Sequence, residues 1–280
     1  MDSRRMCPHC RAFITDKDRV CPYCNERVGP RAIERRSDTP LLGGLIPQAR
    51  FTTVLILVIN FGFYLATTIY AMKAGTGDAM GLDTKTLYFF GAKYAVLESG
   101  QWWRLVTANF LHGGLLHILF NSWALFDVGA MVDQIFGTNR MLVIYFIGGV
   151  CGYLLSSLWN DQVVSIGASA SICGLVGAMI ALGFRHRNPM GDAIRGAFVR
   201  WAVYILVMGF IIPHIDNAAH IGGLAGGFGI GYLAGTPRLE GAPVEKLWKL
   251  SAAFCLLLTA ISFLKLYLWN THVAPIIGAR

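Results

Sequence analysis

From residue 51 onward the chain alternates long apolar runs with short polar breaks, whereas the first fifty residues contain no long apolar run. Runs near the twenty-residue length that crosses a bilayer predict transmembrane helices rather than strands or soluble core. The spans expected are Phe51 to Met72, Gly113–Gly114 to about Val132, Met141 to Trp159, and Gly167–Ser169 to Phe184. Three more follow: a short one from about Ala197 to Ile212, then Asn217 to Gly235, and Ser251 to Trp269. A long polar-aromatic connection containing Gln101-Trp102-Trp103-Arg104 separates the first two. The expected fold is an all-α polytopic membrane protein of seven helices.

Composition agrees. Of 280 residues, 55% are apolar and only 14% charged, and mean hydropathy is +0.52. The net charge of +8 would raise the question of nucleic acid, but the basic residues lie mainly between apolar spans, where topology explains them. With the N-terminus in the cytoplasm, eighteen Lys and Arg fall in cytoplasmic segments and five outside. The positive-inside rule therefore predicts N-terminus in and C-terminus out, with no secretory signal at the start. The bilayer is the partner this implies, and nucleic acid is not one.

Residues 1–50 carry four of the seven cysteines and ten Lys and Arg. Cys7-Pro8-His9-Cys10 and Cys21-Pro22-Tyr23-Cys24 offer four thiolates in two C-x2-C turns, the donor set of a closed structural zinc site. A redox pair would need a surrounding α/β fold, and a disulfide is disfavoured in the cytosol. The expected division is a zinc knot over 1–28 and a basic, solvated linker over 29–50. After these come a six-helix core over 51–235, then a loop and seventh helix over 236–280. A cytosolic partner of the knot is an expectation that the sequence leaves unnamed.

Polar side chains inside spans are costly and mark functional sites. Those that stand out are His112, His117 and Asn121 at the second span, Ser169 and Ser171 at the fourth, and His220 in the sixth. In the predicted topology all three spans run from outside to inside, so these groups share one depth near the outer surface. His117 and Asn121 are four apart, about 400° around a helix, and share a face. His112 is about 140° away from His117 and is expected outside that cluster, as a hydrogen-bonding group that holds the first loop. Ser169 follows Gly167-Ala168 at a helix start, where unpaired backbone N–H groups can stabilise an oxyanion. Gly222, Gly223, Gly226 and Gly227 allow the sixth span to approach the fourth closely and bring His220 to Ser169. The chemistry this supports is acyl transfer by a serine–histidine dyad. Asp216, one turn before His220, is read as a solvated helix-start residue, with orientation of His220 as the alternative.

Over residues 51–235 these motifs resemble the rhomboid intramembrane serine proteases. Trp103-Arg104 is similar to the family's first-loop motif, and His112 through Asn121 (HGGLLHILFN) to its second-helix motif. Gly167-Ala168-Ser169-Ala170, followed by Gly174-Leu175-x-Gly177-Ala178, resembles the nucleophile motif. Ala219-His220-x-x-Gly223 resembles that of the catalytic histidine. The resemblance implies Ser169 as nucleophile, His220 as general base, and His117 and Asn121 at the oxyanion site. It also implies single-span transmembrane substrates cut near the outer face and no cofactor for catalysis. The compactness of the chain favours a cell (inner) membrane of a prokaryote as its location, with a secretory-pathway membrane as the alternative. Two departures stand out. Ala170 replaces a glycine, which costs little if φ is negative and more if it is positive. Cys173 replaces an aromatic that packs under the histidine, and is expected to pack there as a small hydrophobe. The alternatives are a catalytically silent binder of membrane proteins, which would lack the serine or the histidine, and a transporter, which would place charges at mid-bilayer.

Overall fold

The computed structural model describes residues 4–7, 9–15, 18–28, 51–236 and 242–273. The linker 29–50 and part of the loop before the seventh span lie outside them. A two-stranded antiparallel hairpin, β1 (Arg4–Met6) with β2 (Phe13–Thr15), pairs Arg4 with Thr15 and Met6 with Phe13.

The membrane region begins with α1 (Phe51–Ala74). The first loop is not a coil: it holds α2 (Thr84–Phe89), α3 (Val96–Ser99), α4 (Arg104–Thr107) and a 3-10 turn, Ala108–Phe110. The second span is α5 (Leu115–Ala124), continuing through one π turn, Leu125–Gly129, into α6 (Ala130–Phe136). Next come α7 (Thr138–Trp159), α8 (Ser169–Arg185), α9 (Pro189–Ile211), α10 (Asn217–Ala234) and α11 (Pro243–Leu268), which runs on through one π turn, Trp269–Val273. Two of these are longer than their apolar runs suggest. α9 reaches back through Arg195 and Asp192 to an Asn188 cap with Pro189 in the first turn, a start that hydropathy does not detect. Likewise α11 begins eight residues before Ser251, at Pro243, and includes Glu245, Lys246 and Lys249.

Among the described residues, five helices are long and apolar enough to cross a membrane: α1, α5–α6, α7, α9 and α11. α8, with 17 residues, is too short, and the glycine-rich α10 is absent from that set. α8 is the innermost helix, with thirteen of its 17 residues buried, whereas α10 buries its glycine-lined side and leaves Ile221, Tyr232 and Leu233 exposed. With no hydrophobic drive between helices in lipid, their contact depends on small residues that let backbones meet. A β-carbon on Gly223 would lie 2.2 Å from Ala170 O, one on Gly227 1.9 Å from Gly174 O, and one on Gly231 2.5 Å from Ala178 Cα. Every fourth residue of α10 thus rests on every fourth residue of α8. Gly222 and Gly226 face the other way, against Cys151 of α7. α7, α8 and α10 form a backbone-tight inner layer.

The two ends of the bundle differ chemically. At the end where α7 starts, Arg140 is buried and makes a bidentate ion pair with Glu245 of α11, at 2.8 and 2.9 Å. Thr52 Oγ1 at the start of α1 donates to Thr138 Oγ1 (3.4 Å) at this end. At the opposite end the first loop is fastened by two buried cations. Arg104 donates from Nε to Gln101 Oε1 (2.7 Å) and from Nη1 to the carbonyls of Tyr88 (2.7 Å) and Ala92 (3.0 Å). Its guanidinium lies 3.7 Å from the centre of the Tyr88 ring. Lys93 Nζ donates to Asn160 O (2.7 Å) and Val163 O (3.1 Å), across to the α7–α8 connection. Burial pushes the Lys93 ammonium below its ordinary value, a shift that Asp216 and Asp161 oppose. Backbone bonds of 3.0 Å in both directions between Lys93 and Ser165 complete the seam.

Candidate active site

Ser169, His220, His117 and Asn121 meet at this first-loop end. Ser169 is the first residue of α8, so the N–H groups of its first turn have no intrahelical partner. The chain enters that helix through Gly167, whose φ of +116° suits glycine. Gly167 is held on both sides: its N–H donates to Ala108 O (2.9 Å) and its carbonyl accepts from Tyr153 Oη (2.7 Å). His220 lies one turn into α10, whose start is capped by Asp216 accepting from Ala219 N (3.0 Å). His220 Nε2 and Ser169 Oγ are 3.0 Å apart. The imidazole is buried at 6% exposure, whereas the serine is half-buried and retains access from outside.

Nδ1 of His220 has no hydrogen-bond partner among the described residues. For Nε2 to accept the serine proton, Nδ1 must carry the ring hydrogen, and no carboxylate receives it. Asp216 has other work. Its second carboxylate oxygen accepts from Ser156 Oγ of α7, so this residue is a half-buried tie between α7 and α10 rather than a solvated cap or the third member of a triad.

His117 stands in the first turn of α5, and Asn121 one turn on. Nδ1 of His117 accepts from Gly113 N (3.4 Å), which leaves Nε2 as the N–H. A β-carbon on Gly167 would lie 2.6 Å from His117 Nε2 and 3.6 Å from Asn121 Nδ2. Asn121 spends one amide hydrogen on His117 O (3.1 Å). Two side-chain donors therefore converge beside Gly167, two residues before Ser169.

His112 departs from expectation. It is fully buried and its ring sits edge-on to His117, centroids 5.1 Å apart, with no hydrogen-bond partner for either ring nitrogen among the described residues. The 140° separation assumed a helix, but helical geometry starts only at Leu115, and Leu111 is extended (φ −88°, ψ 145°). The extended backbone folds His112 back onto the cluster.

Ser171 is 1% exposed and donates to Asn109 Oδ1 (2.8 Å) in the first loop, so it faces away from His220. Ala170 is helical and absent from the positive-φ residues, and its β-carbon packs against Gly152 of α7, which supplies the room. Cys173 is buried against Gly223, one turn below His220. Asn109, Tyr153 and Lys93 escaped the sequence reading. The signal was present for Lys93, a cation the loop would have to bury; a lone tyrosine in an apolar run gives none.

The four cysteines also converge. Cys7 Sγ and Cys24 Sγ are 3.7 Å apart, Cys10 Sγ and Cys21 Sγ 3.6 Å, and all four lie within 4.8 Å of one another. Zn–S bonds of about 2.3 Å at tetrahedral angles require sulfurs about 3.8 Å apart, whereas a disulfide needs about 2.05 Å. The two C-x2-C turns share one backbone design. Arg11 N donates to Cys7 O and Asn25 N to Cys21 O, both at 2.9 Å, and both residues are left-handed (φ 61° and 55°). The donor set and spacing fit a tetrahedral thiophilic ion.

At one end of the bundle a buried histidine thus meets a helix-start serine beside two converging side-chain donors. Comparison with known proteins gives the family: a rhomboid domain matches residues 99–237, and the chain belongs to the rhomboid family. It is 37% identical over 183 residues to Rhomboid protease GluP of Bacillus subtilis, covering 65% of this chain and 35% of that protein. It is 32% identical over 152 residues to Putative rhomboid protease YdcA of the same organism, covering 54% and 74%. Inactive RHOMBOID-like protein 8 of Arabidopsis thaliana is 35% identical over 148 residues, covering 51% and 42%. The chain spans only about a third to a half of the length of several of these curated relatives.

Proposed function

We propose that the chain is an intramembrane serine endopeptidase that cuts transmembrane proteins near the outer membrane face. The observation that carries this is the 3.0 Å approach of His220 Nε2 to Ser169 Oγ at the free N-terminus of α8. Similarity to the family alone would not suffice, since one relative is named inactive. In the proposed reaction Ser169 Oγ attacks the scissile carbonyl carbon and His220 Nε2 takes its proton. The carbonyl oxygen becomes negative within reach of the Ser169 N–H, His117 Nε2–H and Asn121 amide. His220 then returns the proton to the leaving amine, and a water activated by the same imidazole releases the acyl group and restores Ser169. Substrates of the single-span class suit a half-buried serine set at one end of a bundle, because the cut segment must leave its own helix to reach it.

The same reading places the N-terminus in the cytoplasm, the C-terminus outside and the protein in a cell (inner) membrane. Its support is the charge asymmetry, with Arg140 and Arg185 at the end of the bundle away from the site. We further infer that Cys7, Cys10, Cys21 and Cys24 hold a structural zinc ion that organises a domain too small for a core of its own. No step of the peptide-bond chemistry passes through it.

The test is cleavage of a single-span model substrate by purified protein in liposomes, with Ser169→Ala and His220→Ala as comparators. Cleavage lost in both variants is the expected result. Substrate that co-purifies uncut with the unmodified protein would turn the reading to a silent binder.

A further inference from the structure

α11 lies outside the helices that carry the site, yet one stripe of it faces inward. Ala252, Cys255, Ser262 and Leu266 are buried and Phe263, Trp269 and Asn270 half-buried, while Phe254, Leu257, Leu264 and Tyr267 are exposed. The spacing of three and four residues makes one helical face. Its lower part rests on α7, anchored by the Arg140–Glu245 pair. The upper part meets something else.

From Phe263 to Asn270 the inward residues all land on the first loop or its neighbour α1. Phe263 packs edge-on against Phe110 (5.4 Å) and against Phe63 of α1 (5.5 Å). Leu266 Cδ2 closes over Gly91, where an added β-carbon would lie 2.9 Å from it. Trp269 lies 5.9 Å from Trp103. Asn270 Nδ2 donates to Phe89 O at 2.7 Å. This last bond satisfies a carbonyl in the final turn of α2, a group its own helix cannot use.

One of the loop segments so held, the turn ending at Phe110, touches the site from the other side. Phe110 ends the 3-10 turn whose Ala108 carbonyl receives the Gly167 N–H at 2.9 Å, and whose Asn109 side chain receives Ser171 Oγ at 2.8 Å. Those two bonds bracket Ser169. Thr107, beside Gly91, donates to Gly91 O at 2.7 Å and so ties the Leu266 contact to the same stretch. A continuous path of packed side chains and hydrogen bonds leads from α11 through one short loop segment to both flanks of the serine.

We propose that Phe263, Trp269 and Asn270 of the seventh helix are positioning residues: Phe263 presses the 3-10 turn Ala108–Phe110 onto Gly167 and Ser171, Trp269 and Asn270 hold the α4 and α2 segments that lead into that turn, and together they fix Ser169 against His220 and the donors beside Gly167. This rests on the protease reading and adds to it a function for a helix that contributes no group to the reacting atoms. A displacement of about 1 Å is enough to cost a hundredfold in rate when reacting groups must align. The effect belongs to the chemical step. Substrate docking should change little, because these three residues sit behind the loop rather than on the side where the serine is open.

The experiment measures two rates on the full-length protein in liposomes. One is labelling of Ser169 by a small fluorophosphonate, which needs serine geometry but no substrate helix. The other is cleavage of a single-span substrate, resolved into kcat and KM. Phe263→Ala/Trp269→Ala is expected to slow labelling and lower kcat about tenfold with KM within about twofold. Asn270→Ala is expected to lower both rates about threefold, and Phe263→Leu/Trp269→Phe to restore most of the loss. Thermal unfolding of each variant sets an assay temperature well below its midpoint. If the double alanine variant does not fold, Asn270→Ala and the conservative pair decide. Labelling of the folded variants at the unmodified rate would overturn the proposal while leaving the protease reading intact, and so would a loss confined to KM. An unmodified protein that neither labels nor cleaves would overturn both.

Discussion

Adding one methyl group at Gly167 tests whether His117 is set against the turn that leads into the proposed nucleophile, Ser169. Gly167 has φ +116°, so Gly167→Ala places a side chain in a backbone region L-residues avoid, at about 1–3 kcal/mol. The new carbon would also lie 2.6 Å from His117 Nε2 and 2.9 Å from its Cε1, nearly 1 Å inside ordinary contact. Relief requires the imidazole or the turn to move, and overpacking of this kind adds about 1–3 kcal/mol. In the proposed mechanism either movement separates a donor from the developing oxyanion, where loss of one donor costs about 10²–10³ in kcat. Gly167→Ala should therefore be less stable by about 2–6 kcal/mol and slower by at least about a hundredfold. The assay is cleavage in liposomes beside unfolding of the same preparation. The second variant, Gly167→Ala/His117→Ala, removes the clash but not the strain. It should regain roughly 1–3 kcal/mol of stability and none of the activity. Near-normal stability and cleavage in Gly167→Ala alone would refute the reasoning.

Further predictions follow from single contacts. Ser171→Ala should keep most cleavage, since its hydroxyl is spent on Asn109, whereas Ser169→Ala should keep none; parallel activity assays separate them. Arg140→Ala removes one half of a buried bidentate pair and should destabilise the fold by about 3–5 kcal/mol, with Arg140→Ala/Glu245→Ala less affected, as read by denaturant titration in micelles. Gly227→Ala would drive a β-carbon to 1.9 Å from Gly174 O, so α8 and α10 must part, and neither folding yield nor activity should survive at normal levels. Elemental analysis should find one zinc per chain, lost in Cys21→Ser, with cleavage by the remaining protein unchanged.

Much of this architecture is legible in the sequence because membrane helices are marked by hydropathy and close helix contacts by small residues. α1 and α7 begin and end within a few residues of their apolar runs. The glycines of α10 foretell the approach to α8, although not that Gly223 and Gly227 face α8 while Gly222 and Gly226 face α7. Hydropathy misses what is polar but ordered: the first turns of α9 and α11, and the three short helices of the first loop. These form through caps and buried cations, and a lysine such as Lys93 counts as solvent-facing in any scale although it is fully buried. His112 is misjudged for the related reason that angular spacing holds only inside a helix. At the site, the depth and order of Ser169, His220, His117 and Asn121 are readable, because polar groups in apolar runs stand out. The supports behind them are not readable, since Tyr153 and Asn109 act on backbone and side-chain groups that only the folded chain brings near.

The most direct test of the account is the fluorophosphonate labelling rate of the unmodified protein against His220→Ala, with the labelled residue located by peptide mass spectrometry. The account predicts a single adduct on Ser169, formed at a rate that His220→Ala reduces by about 10²–10⁴. An adduct on another serine, or labelling of Ser169 that does not depend on His220, would contradict it.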